Sequence, residues 1–255
     1  MFVDRPTIFR SRLEALLEEA EGEAEGLISI LSEHGVTDDG TVLDLACGVG
    51  RHSLALAEMG FRVVGVDISP EYIARAEALA DEREVGDLVE FLVGDMRLVA
   101  ELLKEREGAF VASLSLFTSL GYWDEDTDRR IIEQLSHLVA PGGVLVIDII
   151  NRDWIVRNFQ ARDFGNVDDD LLQVMERRLD LEESRMYSIW KYYGPRGRDL
   201  EHVETFEVDQ RVYSLHELKA LVEESGWRYR ACYGSFGMEP FTMDSKRINL
   251  VAERR

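Results

Sequence analysis

The chain has 255 residues, 45% of them apolar, and a formal net charge of −21. That length fits one large α/β domain or one domain with an insertion, and the acidic balance argues against a broad nucleic-acid surface, which needs clustered Lys and Arg. Two cysteines, Cys47 and Cys232, give neither a disulfide framework nor a metal cluster, and no apolar run approaches the length of a bilayer crossing.

The N-terminus, MFVDRPTIFRSR, lacks a signal-peptide core, so a cytoplasmic location is expected. Residues 8–35 read as helical. Leu13, Leu16 and Leu17, then Leu27, Ile30 and Leu31, recur at helical spacing. The charged stretch EEAEGEAEG between them predicts a break near Gly22 to Gly26, and Gly35 is a natural stop.

The stretch TVLDLACGVGRHSLALAEMGFRVVGVD, Thr41 to Asp67, organises the chain. Thr41 to Ala46 suits a strand buried on both faces of a parallel sheet. Gly48 and Gly50 permit a tight turn and leave no side chain between backbone and ligand. A helix with Leu54, Leu56 and Ala57 facing the sheet follows, then a second strand, Phe61 to Val66, with Asp67 at its carboxyl end. This is a right-handed βαβ unit, and ligands of such sheets lie beyond the carboxyl ends of the strands. Asp67 stands where an acidic side chain accepts hydrogen bonds from ribose hydroxyls. The third glycine of a dinucleotide fingerprint is absent, since Ser53 takes its place. Asp44 before the turn would repel a pyrophosphate and attract a cation. The expected ligand is a nucleoside carrying a positive group.

DLACGVGR and VVGVDIS, followed by GDMR at 94–97 and PGGVLVID at 141–148, resemble the successive motifs of class I S-adenosylmethionine-dependent methyltransferases. The resemblance covers about Thr41 to Asn151. It implies a Rossmann-like α/β fold, a seven-stranded, mostly parallel sheet with the last strand antiparallel. It implies S-adenosyl-L-methionine as cofactor, held at the first turn by Asp44, Ala46, Cys47, Gly48 and Gly50 and at the ribose by Asp67. It also places Ile68 on the adenine face, gives Asp95 the adenine amino group, and makes Met96 the source of a backbone amide.

Continuing along the chain, Ser69 is a natural N-cap and Pro70 a first helical residue for a helix to about Arg83. Val89 to Val93 is the third strand. Asp95, at its end, is also a candidate cap for a helix near Val99 to Lys104. Ala109 to Leu116 is the fourth strand. The segment after it, Thr118-Ser119-Leu120-Gly121-Tyr122, is similar to the N/T-S-x-G-Y segment of many small-molecule members. By that resemblance Leu116 flanks the methionine end of the cofactor, and Phe117, Tyr122 and Trp123 wall the acceptor pocket. At least one of Phe117 and Trp123 is expected to be plain core. The acidic, Pro-Pro-aromatic tetrapeptide of amide and base methylation is absent. Asp126 to Val139 reads as a helix, and Pro141-Gly142-Gly143 as the turn into a fifth strand, Val144 to Ile150.

Residues 151–212 fit no further βα unit. Alternation through the strings FGNVDDDLLQVMERRLDLEESRMYSIWKYY and RDLEHVETFEVDQRVYS predicts a small antiparallel β insertion, either a lid or a dimer surface. Arg152, Trp154, Trp190, Tyr192 and Tyr193 are its candidate substrate contacts. Ser214 and Glu217 form a capping box for a helix ending at Gly226. Trp227 to Tyr233 and Arg247 to Glu253 are the last two strands, with the loop GSFGMEPFTMDSK between them read as flexible. The expected organisation is an N-terminal helical cap (1–40), a cofactor-binding core (41–150), the insertion (151–212) and completion of the core sheet (213–255).

The implied chemistry is methyl transfer from a sulfonium to a nucleophile, which demands alignment and exclusion of water. An amine acceptor needs no strong base, whereas a hydroxyl does. His52 and Tyr122 are the candidate catalytic groups, and no metal site is expected. The expected acceptor is a small-molecule amine or hydroxyl, with a homodimer left open and no membrane partner. The competing readings are a tRNA or RNA methyltransferase and a non-catalytic protein that only binds S-adenosylmethionine.

Overall fold

The computed structural model describes residues 6–167 and 171–255. Phe2, in the N-terminal segment, and Asp168–Asp170, in the predicted insertion, lie outside the described residues.

In chain order the elements are α1 (Pro6–Ala15), α2 (Glu19–Glu33), β1 (Thr41–Leu45), α3 (Arg51–Glu58), β2 (Arg62–Asp67), α4 (Pro70–Glu82) and β3 (Val89–Val93). A short 3-10 turn leads into α5 (Val99–Leu102), β4 (Phe110–Ser115), α6 (Glu125–Leu138), β5 (Val139–Ile150) and α7 (Arg152–Arg157). Then come β6 (Arg162–Asn166), β7 (Leu172–Asp180), β8 (Arg185–Arg196), β9 (Asp199–Arg211), α8 (Leu215–Glu224), β10 (Trp227–Tyr233) and β11 (Arg247–Arg254).

The main sheet has the order β10-β11-β5-β4-β1-β2-β3. β1 to β5 run parallel, and β11 enters antiparallel to both β5 and β10. Its apolar strands bury both faces. Val42, Val63, Leu114 and Val146 pack with α2 and α3, while Leu43, Val64, Leu145 and Leu250 pack with α6 and α8. The strand order reverses between β1 and β4, which opens a crevice at their carboxyl ends. A second, four-stranded antiparallel sheet runs β6-β7-β8-β9. No helix among the described residues is long and apolar enough to cross a membrane.

Several boundaries differ from those the sequence predicts. The N-terminal break falls at residues 16–18, not at the glycines. Gly22 and Gly26 lie inside α2, and a Cβ on Gly26 would sit 2.3 Å from the Phe236 carbonyl oxygen. Gly26 therefore serves a close approach between α2 and the 234–246 loop. That loop is anchored by Phe236, which is buried against α2. β5 begins at Val139 and already contains Pro141-Gly142-Gly143, with Gly142 at φ +81°. α7 precedes the predicted strands of the 151–212 segment, in a stretch where the sequence reading assigns no element; Asn151 caps it by accepting from the Asp153 N–H at 3.0 Å.

Candidate functional site

The floor of the site is the turn after β1. Ala46, Gly48 and Gly50 all take positive φ (61°, 60° and 77°), so the chain reverses within five residues and α3 starts directly beneath it. Gly48 N–H donates to Asp67 Oδ2 at 2.9 Å, and Ser69 N–H donates to Asp67 Oδ1 at 2.9 Å. Each carboxylate oxygen therefore keeps lone-pair capacity for a ligand. Burial pushes the Asp67 carboxyl up, and the two amide hydrogen bonds oppose that rise. Asp44, fully buried beneath the turn, accepts from Ser53 Oγ at 2.6 Å and is likewise pushed up by burial.

Beyond β2, Ile68 leaves 37% of its surface exposed although it is apolar. Asp95 accepts from the Arg97 backbone N–H and from the Arg97 guanidinium, chiefly through the side-chain bond that lowers its pKa. It therefore caps the 3-10 turn, as its sequence position allowed. Met96 is buried in the main core.

The loop after β4 is held in an uncommon shape. Phe117 and Thr118 are consecutive non-glycine residues at φ +54° and +61°, a conformation that costs roughly 1–3 kcal/mol per residue. Asp148 offsets it. Its Oδ2 accepts the Phe117 N–H at 3.0 Å and its carbonyl accepts the Thr118 N–H at 2.9 Å. Asp148 is itself fixed by both arms of Arg247 and by Asn249 Nδ2 at 2.7 Å. Charge-assisted bonds are worth about 1.5–3 kcal/mol each, so this set outweighs the strain. Further on, Gly121 sits at φ +94° against β9: the Arg211 N–H donates to its carbonyl at 2.7 Å, and a Cβ there would strike the Arg211 oxygen at 2.3 Å. Tyr122 and Trp123 meet edge to face with centroids 6.4 Å apart. Burial pushes the Tyr122 phenol up to about 12, so it stays protonated at neutral pH. Its hydroxyl faces the acceptor side of the site as a hydrogen-bonding group or a proton acceptor.

α1 lies over the site. Phe9 and Leu13 pack on Val49 and Tyr72, with Phe117 and Trp190 alongside. Trp190 of β8 stacks on Phe9 at 6.3 Å and 10°. Arg10–Glu71 and Arg75–Glu14, each at 2.7 Å, tie α1 to α4. Half-exposed pairs give at most about 1 kcal/mol each, whereas burying a Phe or Leu side chain gives about 1.5–3. The apolar contacts therefore dock the helix.

Behind the turn, Glu23 of α2 receives Arg51 Nη1 and bonds His52 Nε2 at 2.8 Å. Burial would raise Glu23, but the His52 bond and the Arg51 charge outweigh it and hold the carboxyl at about 2. His52 thus spends Nε2 on Glu23 and sets its ring edge-on to Phe236 at 6.2 Å. The Arg51 guanidinium lies 4.9 Å from the centre of the Phe117 ring.

These parts enclose a cavity of about 510 Å³, within the range of small-molecule sites. Asp44, Ala46, Cys47, Gly48, His52, Asp67, Ile68, Asp95, Met96, Leu116, Phe117, Tyr122 and Trp123 all line it. Gly50 does not. A Cβ there would meet the Phe91 ring at 2.8 Å, so packing and its φ explain that glycine. Arg152, Trp154, Trp190, Tyr192 and Tyr193 also lie outside the lining; Trp190 packs on Phe9 and Tyr192 accepts from Gln173 at 2.7 Å. Phe117 and Trp123 both line the cavity, so neither is the plain core residue expected of that pair, although Trp123 also packs partly against the main core. Sequence reasoning missed Arg51, Tyr72 and the β9 residues 207–209, all of which line the cavity. Their spacing carries no signal, because they reach the site through tertiary contact. Among the described residues no His, Cys, Asp and Glu group could hold a metal ion.

The donor set suits a nucleoside with a cationic substituent: a strand-end carboxylate with spare lone pairs, an exposed apolar side chain beside it, and a buried carboxylate under the turn. A sequence profile described as a methyltransferase domain matches residues 42–143. The chain is 31% identical to a glycine/sarcosine N-methyltransferase of Aphanothece halophytica, over 85% of this chain and 76% of that one. It is 26% identical to the cypemycin N-terminal methyltransferase of a Streptomyces species, over 90% and 89% of the two chains. The solved CcbJ methyltransferase of Streptomyces caelestis superposes with a TM-score of 0.78 at 20% identity, covering 93% of this chain and 95% of that one. The chain belongs to the class I S-adenosylmethionine-dependent methyltransferases. It is an enzyme of that family, and its cofactor is S-adenosyl-L-methionine.

Proposed function

We propose that this methyltransferase acts on an amine carried by a small molecule. The observation that carries the reading is the aromatic wall of the cavity, Phe117, Tyr122 and Trp123, whose ring faces stabilise the ammonium that forms when an amine takes up the methyl group. A hydroxyl acceptor needs a group to take its proton during transfer, whereas a neutral amine brings its own lone pair. The names of two relatives, a glycine/sarcosine N-methyltransferase and the cypemycin N-terminal methyltransferase, point the same way.

In this reading Asp67 holds the ribose, Ile68 covers one adenine face, and Asp95 and Met96 meet the adenine edge. Arg97 already bonds Asp95 through a half-exposed side chain, so it shares the carboxylate or swings aside. Asp44, Ala46, Cys47 and Gly48, with Leu116, receive the methionine end. S-adenosylmethionine supplies, when bound, an electrophilic methyl group that needs alignment more than activation. Phe117, Tyr122 and Trp123 wall the acceptor space, and Tyr122 Oη orients the amine by hydrogen bonding. α1 and the second sheet roof the cavity and keep water out, which favours the lid over the dimer surface for residues 151–212.

Labelled methyl transfer from S-adenosylmethionine to pooled small amines, small alcohols and tRNA tests this. Label in N-methyl products is expected. Label only in O-methyl products or in tRNA, or no label in any small amine, would overturn the reading.

A further inference from the structure

β9 is an edge strand of the second sheet. Val212 N–H points inward, to Ser184 O at 2.9 Å beside β8, whereas Arg211 N–H points outward, to Gly121 O at 2.7 Å. Main-chain direction alternates every residue along a strand. Asp209 and Glu207 therefore turn their N–H and C=O groups to the same open side as Arg211. Their side chains take no part in this. Asp209 pairs across the strand with Tyr187 and Glu207 with Ile189, the Asp209 carboxylate bonds Arg185 at 2.7 Å, and Ile189 is exposed.

Residues 207–209 nevertheless line the cavity, and they do so next to the acceptor loop. Gln210 Nε2 donates to Thr118 O and Leu120 O, and Arg185 Nη1 donates to Trp123 O at 2.9 Å. Among the described residues, the Glu207 N–H and C=O and the Asp209 N–H have no partner across this edge; the Asp209 C=O has only a 3.5 Å approach from Arg185. An open strand edge is a template for another extended backbone, and peptides bind such edges through main-chain hydrogen bonds.

We infer that the acceptor is the free α-amine of a peptide or amino-acid amide, whose first amide groups pair with the main chain of Glu207 and Asp209 along the edge of β9. The inference rests on the amine reading above and names the class of amine. The edge fixes the backbone of the acceptor while its amine enters between Phe117 and Tyr122. Neither carboxylate side chain is asked to recognise anything. The transfer forms an N–CH₃ bond as the S–CH₃ bond breaks, and the product ammonium loses its proton to water.

Proline supplies the test, because at an edge strand it removes an outward N–H without breaking the inner ladder. Steady-state kinetics would compare the wild type, Glu207→Pro and Glu207→Ala on Ala-Ala-Ala amide, on its analogue with an ester in place of the first amide, and on simple primary amines. Circular dichroism and S-adenosylmethionine affinity would report that each variant is folded. Glu207→Pro is expected to raise KM for the tripeptide amide by about tenfold, the scale of one well-placed hydrogen bond, and to raise it at least about five times more than it raises KM for the simple amines. Glu207→Ala, which keeps the N–H, is expected to raise the tripeptide KM far less than Glu207→Pro does, and the ester is expected to bind several-fold more weakly than the amide.

Equal KM values for Glu207→Pro and wild type on the tripeptide would overturn the inference. So would an Ala variant as impaired as the Pro variant, which would assign recognition to the carboxylate. Should Glu207→Pro fail to fold, the amide–ester comparison on the wild type decides alone, and equal KM values would overturn the inference. Turnover of simple amines without any peptide amide would sink this inference and leave the amine reading standing. No turnover of any amine would sink both.

Discussion

Asp67 is the residue most plainly read from sequence, because a βαβ unit fixes where its carboxylate must lie. Its two amide contacts leave it able to accept from a ligand. Asp67→Ala removes two charge-assisted bonds, each worth about 1.5–3 kcal/mol. Calorimetry should find S-adenosylmethionine binding weakened at least about a hundredfold; a loss under threefold would refute the ribose role. Asp148 makes the opposite case. Its spacing in PGGVLVID marks only a strand, yet it pins Phe117 and Thr118 in their strained turn. Asp148→Ala should lower kcat on any amine by about tenfold or more, because misplacement by an ångström costs heavily in aligned transfer. Cofactor affinity should stay within a few-fold. A variant with unchanged kcat would show that the loop keeps its shape without the carboxylate. Arg51 was illegible for a related reason: its partners, Glu23 and the Phe117 ring, are 28 and 66 positions away in the chain.

Among the elements, strands and capped helices were readable and breaks were not. The Ser69 and Ser214 caps were visible because their hydrogen bonds are local: the Ser69 Oγ accepts from Tyr72 N–H, and Ser214 completes its box with Glu217. Two glycines in α2 suggested a bend by their intrinsic freedom. One of them instead makes room for Phe236, a contact over 200 residues long that local rules do not register. Gly26→Ala puts a methyl group into that carbonyl. Overpacking of this kind costs about 1–3 kcal/mol, and thermal unfolding should come several degrees lower. An unchanged midpoint would mean that the 234–246 loop yields freely. The second sheet was foreseen as antiparallel strands, but which of its edges faces the crevice depends on how β9 meets Gly121, and no pattern within 151–212 encodes that.

At the scale of the molecule, α2, α3 and the loop after β4 are joined through Glu23, Arg51, His52 and Phe117. Glu23 is held at about 2 against an ordinary 4.5. Its folded-state pKa is lowered, so its contribution to stability is complete above about pH 4.5 and fades as the pH falls toward 2. The difference in melting temperature between wild type and Glu23→Gln should therefore be full at pH 6 and close on acidification. A difference that persists unchanged to pH 2 would refute the linkage. Long-range assembly of this sort divides the crevice between distant parts of the chain. Arg247 and Asn249, which steady Asp148, belong to β11, which lies between β10 and β5. The acceptor end of the crevice is therefore set by the strand farthest along the chain, whereas the nucleoside floor is set by the first two, so truncating β11 should disturb methyl transfer before it disturbs the βαβ unit.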